Sequence, residues 1–294
     1  MTNDKSFFPP DDSLCGSVVW INSTPLRISE TISQGIDSRI FNASLLQGGR
    51  DSAFVIKCYR CRRDGEVWKK AMREIEAGNM LRKCPHIVPL RGYSVLSEGN
   101  GEYWCVFLLF DRLQCLEEQT TDPRTALEIC RDIALALVGM KKKGLLHGDV
   151  KPSNLYTDGE KWLLGDLGSV CLSGQSPDYG SRGYCSPEAM QGEACDIRSD
   201  LYSLGVTLYR ILSGGRLPFC RLPCGELSRE EIESAIERRL KGERIPPIPG
   251  VCEEVNRLLL GLTGFDRRER FRNPAFVARH AAELLNKSYS TEDN

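Results

Sequence analysis

His147-Gly148-Asp149-Val150-Lys151-Pro152-Ser153-Asn154, with Asp166-Leu167-Gly168 twelve residues beyond Asn154, is the stretch on which the reading of this chain turns. On two neighbouring loops it supplies the parts that phosphoryl transfer needs. Asp149 is a carboxylate that can orient a hydroxyl, and Lys151 can neutralise charge on a moving phosphoryl group. Asn154 and Asp166 add an amide oxygen and a second carboxylate for Mg²⁺. A lone His-x-Asp or Asp-x-Gly marks only a turn; the full set, in this order and at this spacing, is not a chance arrangement.

These loops resemble the catalytic and metal-binding loops of the eukaryotic-type serine/threonine protein kinases, and further stretches extend the resemblance over residues 26–285. Phe54-Val55-Ile56-Lys57 looks like the strand that carries the phosphate-binding lysine. Met72-Arg73-Glu74-Ile75-Glu76 looks like the helix whose glutamate pairs with it, Glu74 fitting better than Glu76. Pro85-His86-Ile87-Val88 closes that helix and opens the next strand. Gly180 to Glu188 is similar to the end of the activation segment, Asp200 to the buried aspartate of the central helix, and Arg270 to the late arginine that pairs with Glu188.

The resemblance implies an α+β, two-lobed fold with a nucleotide in the cleft. A small antiparallel sheet lobe with one helix would span about 26–108, a hinge about 109–113, and a mainly helical lobe about 114–285, between a leader over 1–25 and a tail over 286–294. It implies ATP and Mg²⁺ as reactants and a protein as substrate. By that resemblance Asp149 and Lys151 are catalytic, and Asn154 and Asp166 hold the metal. Lys57, oriented by Glu74, grips the phosphates. Ile32, Gly35, Ile40, Val55, Leu109, Asp111 and Tyr156 surround the nucleotide, with Leu108 guarding the back pocket. Ser181 shapes the site for a hydroxyl, while His147, Gly168, Glu188, Asp200 and Arg270 are structural.

Four departures qualify it. Where the family has Gly-x-Gly-x-x-Gly-x-Val, this chain has Ser33-Gln34-Gly35-Ile36-Asp37-Ser38-Arg39-Ile40, and Asp37 brings negative charge towards the phosphates. Gly78 stands one turn after Glu74, where a bulky apolar residue is usual, which predicts a loosely held helix. Gly148 stands where many members carry an arginine that reads a phosphorylated activation loop, so activity without such phosphorylation is expected, with control by a regulatory protein partner or the Glu74 helix. Leu167 replaces phenylalanine. The first two departures favour a rival reading, a catalytically silent scaffold; the intact Lys57, Asp149, Asn154 and Asp166 oppose it.

The 294 residues carry a net charge of −1, which gives no electrostatic case for nucleic acid, and the longest apolar run, Trp104–Phe110, is too short to span a membrane. Thirteen cysteines with no secretory signal read as reduced thiols in the cytoplasm. Cys58-x-x-Cys61 and Cys220-x-x-x-Cys224 have metal-like spacing but fall in different lobes. Apolar runs at Ile28–Ile32, Ile40–Leu46, Ala53–Tyr59 and Trp104–Phe110 predict strands, with Gly48-Gly49 as a hairpin turn. Helical patterns cover Val67–Leu81, the stripe Leu127, Cys130, Ala134, Leu137, then Leu201–Leu212, Ser228–Lys241, Val255–Leu262 and Pro274–Leu285.

Overall fold

A computed structural model describes residues 14–47, 53–98, 101–116, 122–177, 180–223, 225 and 227–289. The chain divides into two compact units, Met1–Lys83 with Val88–Leu113, and Cys84–Ile87 with Gln114–Asn294. Gly48-Gly49 and Cys224 lie outside the described residues.

The first unit is an antiparallel sheet with one helix. Its strands are β1 (Val18–Ile21), β2 (Thr24–Gln34), β3 (Ser38–Leu45), β4 (Phe54–Cys61), β5 (Gly92–Glu98) and β6 (Tyr103–Asp111), in the order β1-β2-β3-β4-β6-β5. β2, β3, β4 and β6 match the apolar runs predicted from sequence, with Leu46 falling just beyond β3 and Ala53 just before β4. β1 and the start of β2 lie inside the stretch expected to be leader. The reason is a tight hairpin: Asn22 and Ser23 both take left-handed φ, 50° and 63°, the conformation that matches strand twist. β5 escaped the pattern because it is an edge strand with only Gly92 buried. Helix α1 (Glu66–Met80) lies on one face of the sheet, where Val67, Ala71 and Ile75 join Tyr59, Cys61, Val106, Leu108 and Leu90 in one apolar cluster. The opposite face buries Ile56, Cys58, Phe107 and Leu109 with β1 to β3 in a second cluster.

The second unit is mainly helical. α2 (Pro123–Lys142) starts where Asp122 accepts from the amides of Arg124 and Thr125, and ends on basic residues before Gly144 at φ +69°. α3 (Pro187–Met190) is a single turn. α4 (Ile197–Leu212) is buried along almost its whole length, α5 (Arg229–Leu240) opens on a Ser228–Glu231 capping box, and α6 (Glu253–Leu262) and α7 (Pro274–Tyr289) follow. α7 runs past the boundary expected for the tail and packs along α2. Short strands β7 (Gln114–Cys115), β8 (Leu145–Leu146), β9 (Leu155–Thr157), β10 (Trp162–Leu164) and β11 (Cys171–Leu172) form the ribbons β10-β9-β7 and β11-β8 between helices. Of Pro85-His86-Ile87-Val88, expected to close the helix and open the next strand, the first three belong with Cys84 to this unit. The Leu164 amide donates to the His86 carbonyl at 2.8 Å, and Ile87 bridges Leu164. Among the described residues no helix is long and apolar enough to cross a membrane.

Candidate active site

In the first unit, β4 alternates its side chains so that Val55, Lys57 and Tyr59 share the face that meets α1. Lys57 is therefore aimed at the helix, and its Nζ lies 2.9 and 3.2 Å from the two carboxylate oxygens of Glu74. The pair is almost fully buried, with side chains 9% and 3% exposed. A charge pair taken this far from water persists only when its remaining lone pairs are met. Tyr59, two residues along the same strand face, donates its hydroxyl to Glu74 as well. Sequence reading missed Tyr59; the i+2 spacing from Lys57 was the available signal. Glu76 is exposed on the other side of α1.

Ile40 stands directly opposite Lys57, and Val55 opposite Phe110, so these four residues share one face of the sheet. Leu108, also opposite Lys57, packs under α1. Leu109 does not join them. Its side chain lies in the core on the far face, and its carbonyl accepts the Arg91 amide at 2.9 Å. Strand alternation gives that face to Phe110, not to the residue after Leu108. The Asp111 carboxylate is engaged by Arg91 at 2.5 and 2.8 Å.

The turn expected to cover the phosphates closes where the Gly35 amide donates to the Ser38 carbonyl at 2.8 Å. Ile32 is exposed in the irregular part of β2. Asp37 is paired with Lys70 of α1 at 2.9 Å, which balances the charge that sequence had left open and ties the turn to the helix. The space behind Gly78 is likewise filled. A Cβ added there would meet Leu90 Cβ and Cδ2 at 3.0 Å, so Leu90 supplies the bulk from the other partner and the expected loose packing is not found.

In the second unit, the Asp149 carboxylate is held at both oxygens. Oδ1 accepts the Ser181 amide at 2.9 Å, and Oδ2 lies 2.7 Å from Lys151 Nζ and 3.3 Å from Asn154 Nδ2. Lys151 also donates to Ser181 Oγ at 2.7 Å. Burial pushes the Asp149 carboxyl up, but Lys151 and the Ser181 amide outweigh it, and the group sits below the ordinary carboxylate range. It is an ionised base at neutral pH.

Asn154 spends its amide nitrogen on the Asp149 carbonyl at 2.8 Å, which leaves its Oδ1 as the atom able to ligate a cation. The Gly165 amide donates to the Asn154 carbonyl at 2.9 Å, and Asp166 follows at φ +57° with Gly168 donating to its Oδ1 at 3.4 Å. An amide oxygen and a carboxylate are the hard donor set that Mg²⁺ takes. Tyr156, half-buried on β9, stands opposite Leu163 and Cys115.

His147 is expected to be structural. It is fully buried, accepts the Asp149 amide at Nδ1 and meets the Gly165 carbonyl through Nε2 at 3.0 Å. Asp200 takes the backbone amides of His147 and Gly148 at 2.8 and 2.9 Å. Burial pushes the Asp200 carboxyl up, opposed by His147 and those two amides. Gly148 has φ +77°, and a Cβ there would lie 2.7 Å from the Ser169 carbonyl, so this backbone path excludes a side chain.

The activation segment ends on a second buried pair. Arg270 grips Glu188 with two bonds of 2.7 and 2.8 Å, Ser199 adds a third at 2.7 Å, and the guanidinium stacks 4.7 Å from the Tyr202 ring. Burial pushes Glu188 up, and Arg270 brings it below its usual range. Asp132 is a further buried acid that sequence reading passed over. It accepts the Trp162 amide at 2.9 Å and steadies the β9–β10 ribbon from α2. Cys58 and Cys61 lie buried on β4 among apolar neighbours.

The family profile described as "Protein kinase domain" matches residues 26–290. The chain is similar to Serine/threonine-protein kinase PknB of Mycolicibacterium smegmatis, 30% identical over 203 residues, covering 64% of this chain and 32% of that protein. It is also similar to pkn2 of Myxococcus xanthus, 35% identical over 139 residues (41% and 16%), and to PrkC of Bacillus subtilis, 23% identical over 256 residues (83% and 38%). The matched part is thus a minor share of each relative's length. Among solved structures, the kinase PK-1 of Cydia pomonella granulovirus superposes with a TM-score of 0.67 at 18% identity, covering 87% of this chain and 93% of that one.

Proposed function

Because this chain belongs to the protein kinase domain family, we propose that it transfers the γ-phosphoryl group of ATP to serine and threonine hydroxyls of a protein. The observation that carries this reading is the Asp149–Lys151–Ser181 cluster, in which Lys151 Nζ lies 2.7 Å from both Asp149 Oδ2 and Ser181 Oγ, and the Ser181 amide donates to Asp149 Oδ1 at 2.9 Å. Asp149 positions the incoming hydroxyl and accepts its proton, while Lys151 stabilises charge on the group in transfer. Lys57, steered by Glu74, grips the α- and β-phosphates. Asn154 and Asp166 would hold Mg²⁺, which neutralises phosphate charge when bound. The Glu188–Arg270 pair anchors a platform for an extended peptide, which favours a protein over a small molecule as acceptor. Serine/threonine specificity is supported by Lys151 and Ser181 and by the printed names of the similar proteins. Reduced thiols and a cytoplasmic setting fit the cysteine content.

The rival scaffold reading loses its packing argument, since Leu90 fills the space behind Gly78. Incubating the purified chain with γ-labelled ATP, Mg²⁺ and a generic protein substrate tests the proposal. Label should enter the protein, and the Asp166→Ala variant should lose it; equal labelling by that variant rules the assignment out.

A further inference from the structure

Two arginines of the second unit are buried beneath the segment that ends at Glu188, and they are partnered differently. Arg270 meets the Glu188 carboxylate with two bonds. Arg239, on the inward face of α5 and only 3% exposed, meets no carboxylate among the described residues. Its Nη2 donates to the Arg182 carbonyl at 3.1 Å, and its Nη1 is buried with no hydrogen-bond partner. A guanidinium taken out of water without a counter-ion destabilises the fold, so its retention calls for a use.

That charge lies under the loop beside the acceptor site. Arg182 directly follows Ser181, whose hydroxyl and amide are bonded to Lys151 and Asp149. Burial pushes the Cys185 thiol up to about 11; the Asp149 carboxylate adds to this and the Arg239 guanidinium opposes it, so Cys185 feels both groups. Arg182 itself is exposed and reaches Glu233 only at 3.5 Å, with side chains 65% and 40% exposed, a pair that contributes little. Gly183 lies against Leu217, where a Cβ would come within 3.2 Å of Cδ1. The neighbouring Arg216 spends its Nε on the Ser213 carbonyl at 2.7 Å. Three arginines therefore border residues 181–185, and among the described residues Glu233 is the one carboxylate within ion-pair distance of any of them. In a chain of net charge −1 this excess is local.

We propose that the acceptor proteins carry acidic residues beside the serine or threonine that is phosphorylated, and that Arg182, Arg216 and Arg239 select them. Arg182 and Arg216 offer planar guanidinium groups to the side-chain carboxylates of the bound peptide. Arg239 does not touch the peptide. Its charge, held away from bulk water and neutralised by no internal acid, acts across the loop with little screening. The same field repels a lysine in that place, so selection works by exclusion as well as attraction. The inference deepens the kinase reading and rests on it for the reaction, while the preference for acidic peptides rests on the three arginines alone.

The test gives the full chain Mg²⁺, ATP and three serine peptides of one length, their flanking positions filled with aspartate, alanine or lysine. The aspartate peptide should have a KM about tenfold below that of the alanine peptide, the lysine peptide should be the poorest, and the advantage should shrink as salt is raised. Arg239→Met should cut the aspartate-to-alanine preference by about three- to tenfold while the melting temperature holds or rises, because an unpaired buried charge gives way to an apolar side chain. Arg238→Met, on the same helix but paired with Glu243 at 2.7 Å, should keep the wild-type preference. Equal KM values for the three peptides, or an unchanged preference in Arg239→Met, overturn the proposal and leave the kinase reading standing. Should Arg239→Met fail to fold, Arg182→Ala/Arg216→Ala must lose the preference, and its persistence there overturns the proposal too. If no peptide is phosphorylated, the kinase reading falls, and fluorescence anisotropy with the same peptides decides: tighter binding of the aspartate peptide supports the acidic preference, and equal binding overturns it.

Discussion

The catalytic loop and the phosphate-covering turn are built to different standards. From His147 to Asn154, Asp149 is bonded at both carboxylate oxygens, the His147 ring at both nitrogens, and the backbone of positions 147 and 148 to Asp200. The turn from Ser33 to Ser38 carries a backbone bond at Gly35 and an ion pair from Asp37 to Lys70, beside the ladder pairs of Ser33 with Ile40 and Gln34 with Arg39. Groups that move protons and charge must be fixed to fractions of an ångström. A loop that covers phosphates through backbone amides works with looser support. The difference teaches that drift in the glycine pattern reports on nucleotide grip and says little about the chemical step.

The sharpest break in that comparison would come from the catalytic loop itself. Asp149→Asn keeps the size and removes the base, and the turnover of phosphate transfer should fall by at least about 10³-fold with little change in KM for ATP. A loss confined to KM would place Asp149 in binding instead. Next in size is the frame beneath the loop. Arg270→Ala leaves Glu188 buried without its partner and should cost about 3–5 kcal/mol in chemical denaturation. A cost below 1 kcal/mol would mean that the pair is not desolvated as the structure shows.

The pH dependence sharpens the contrast. Asp149 and Glu188 both have folded-state pKa values below their unfolded values, so the stability they contribute is present above the unfolded carboxyl range and is lost as pH falls through the folded values. Turnover should accordingly show no acid limb from Asp149 between pH 8 and about 5. In Lys151→Ala the larger lowering influence is gone while burial and the Ser181 amide remain, so an acid limb should move up in pH in the residual rate. An unmoved profile contradicts the pairing.

Smaller effects belong to the first unit. Gly78→Leu forces bulk against Leu90 and should destabilise by about 1–3 kcal/mol in a melt, where a genuinely loose helix would gain stability. Smallest is the turn: Asp37→Asn should raise KM for ATP by about two- to fivefold by untying it from Lys70. A lower KM would show that the carboxylate repels phosphate more than it anchors the turn.

How far the sequence could be read depended on whether a residue's partner was local. Lys57 and Glu74 were legible through the family resemblance of the short stretches that carry them, and Asp149, Lys151 and Asn154 because one short loop carries all three. The second glycine at 148 was visible, but not its cause, since the Ser169 carbonyl that excludes a side chain is distant in sequence. Leu90 behind Gly78 and Lys70 beside Asp37 were hidden for the same reason. β1 was missed because a four-residue strand gives too few alternations to count, and the sheet face taken by each of Leu108, Leu109 and Phe110 was not legible because all three are equally apolar. Only the ladder shows which of them faces Lys57.

The most direct test of the account is phosphoamino-acid analysis of a protein substrate labelled by the purified chain across a range of ATP concentrations, beside Asp149→Asn. The account predicts phosphoserine and phosphothreonine that saturate with ATP and disappear in the variant. Label that persists in Asp149→Asn, or no transfer at any ATP concentration, would contradict it.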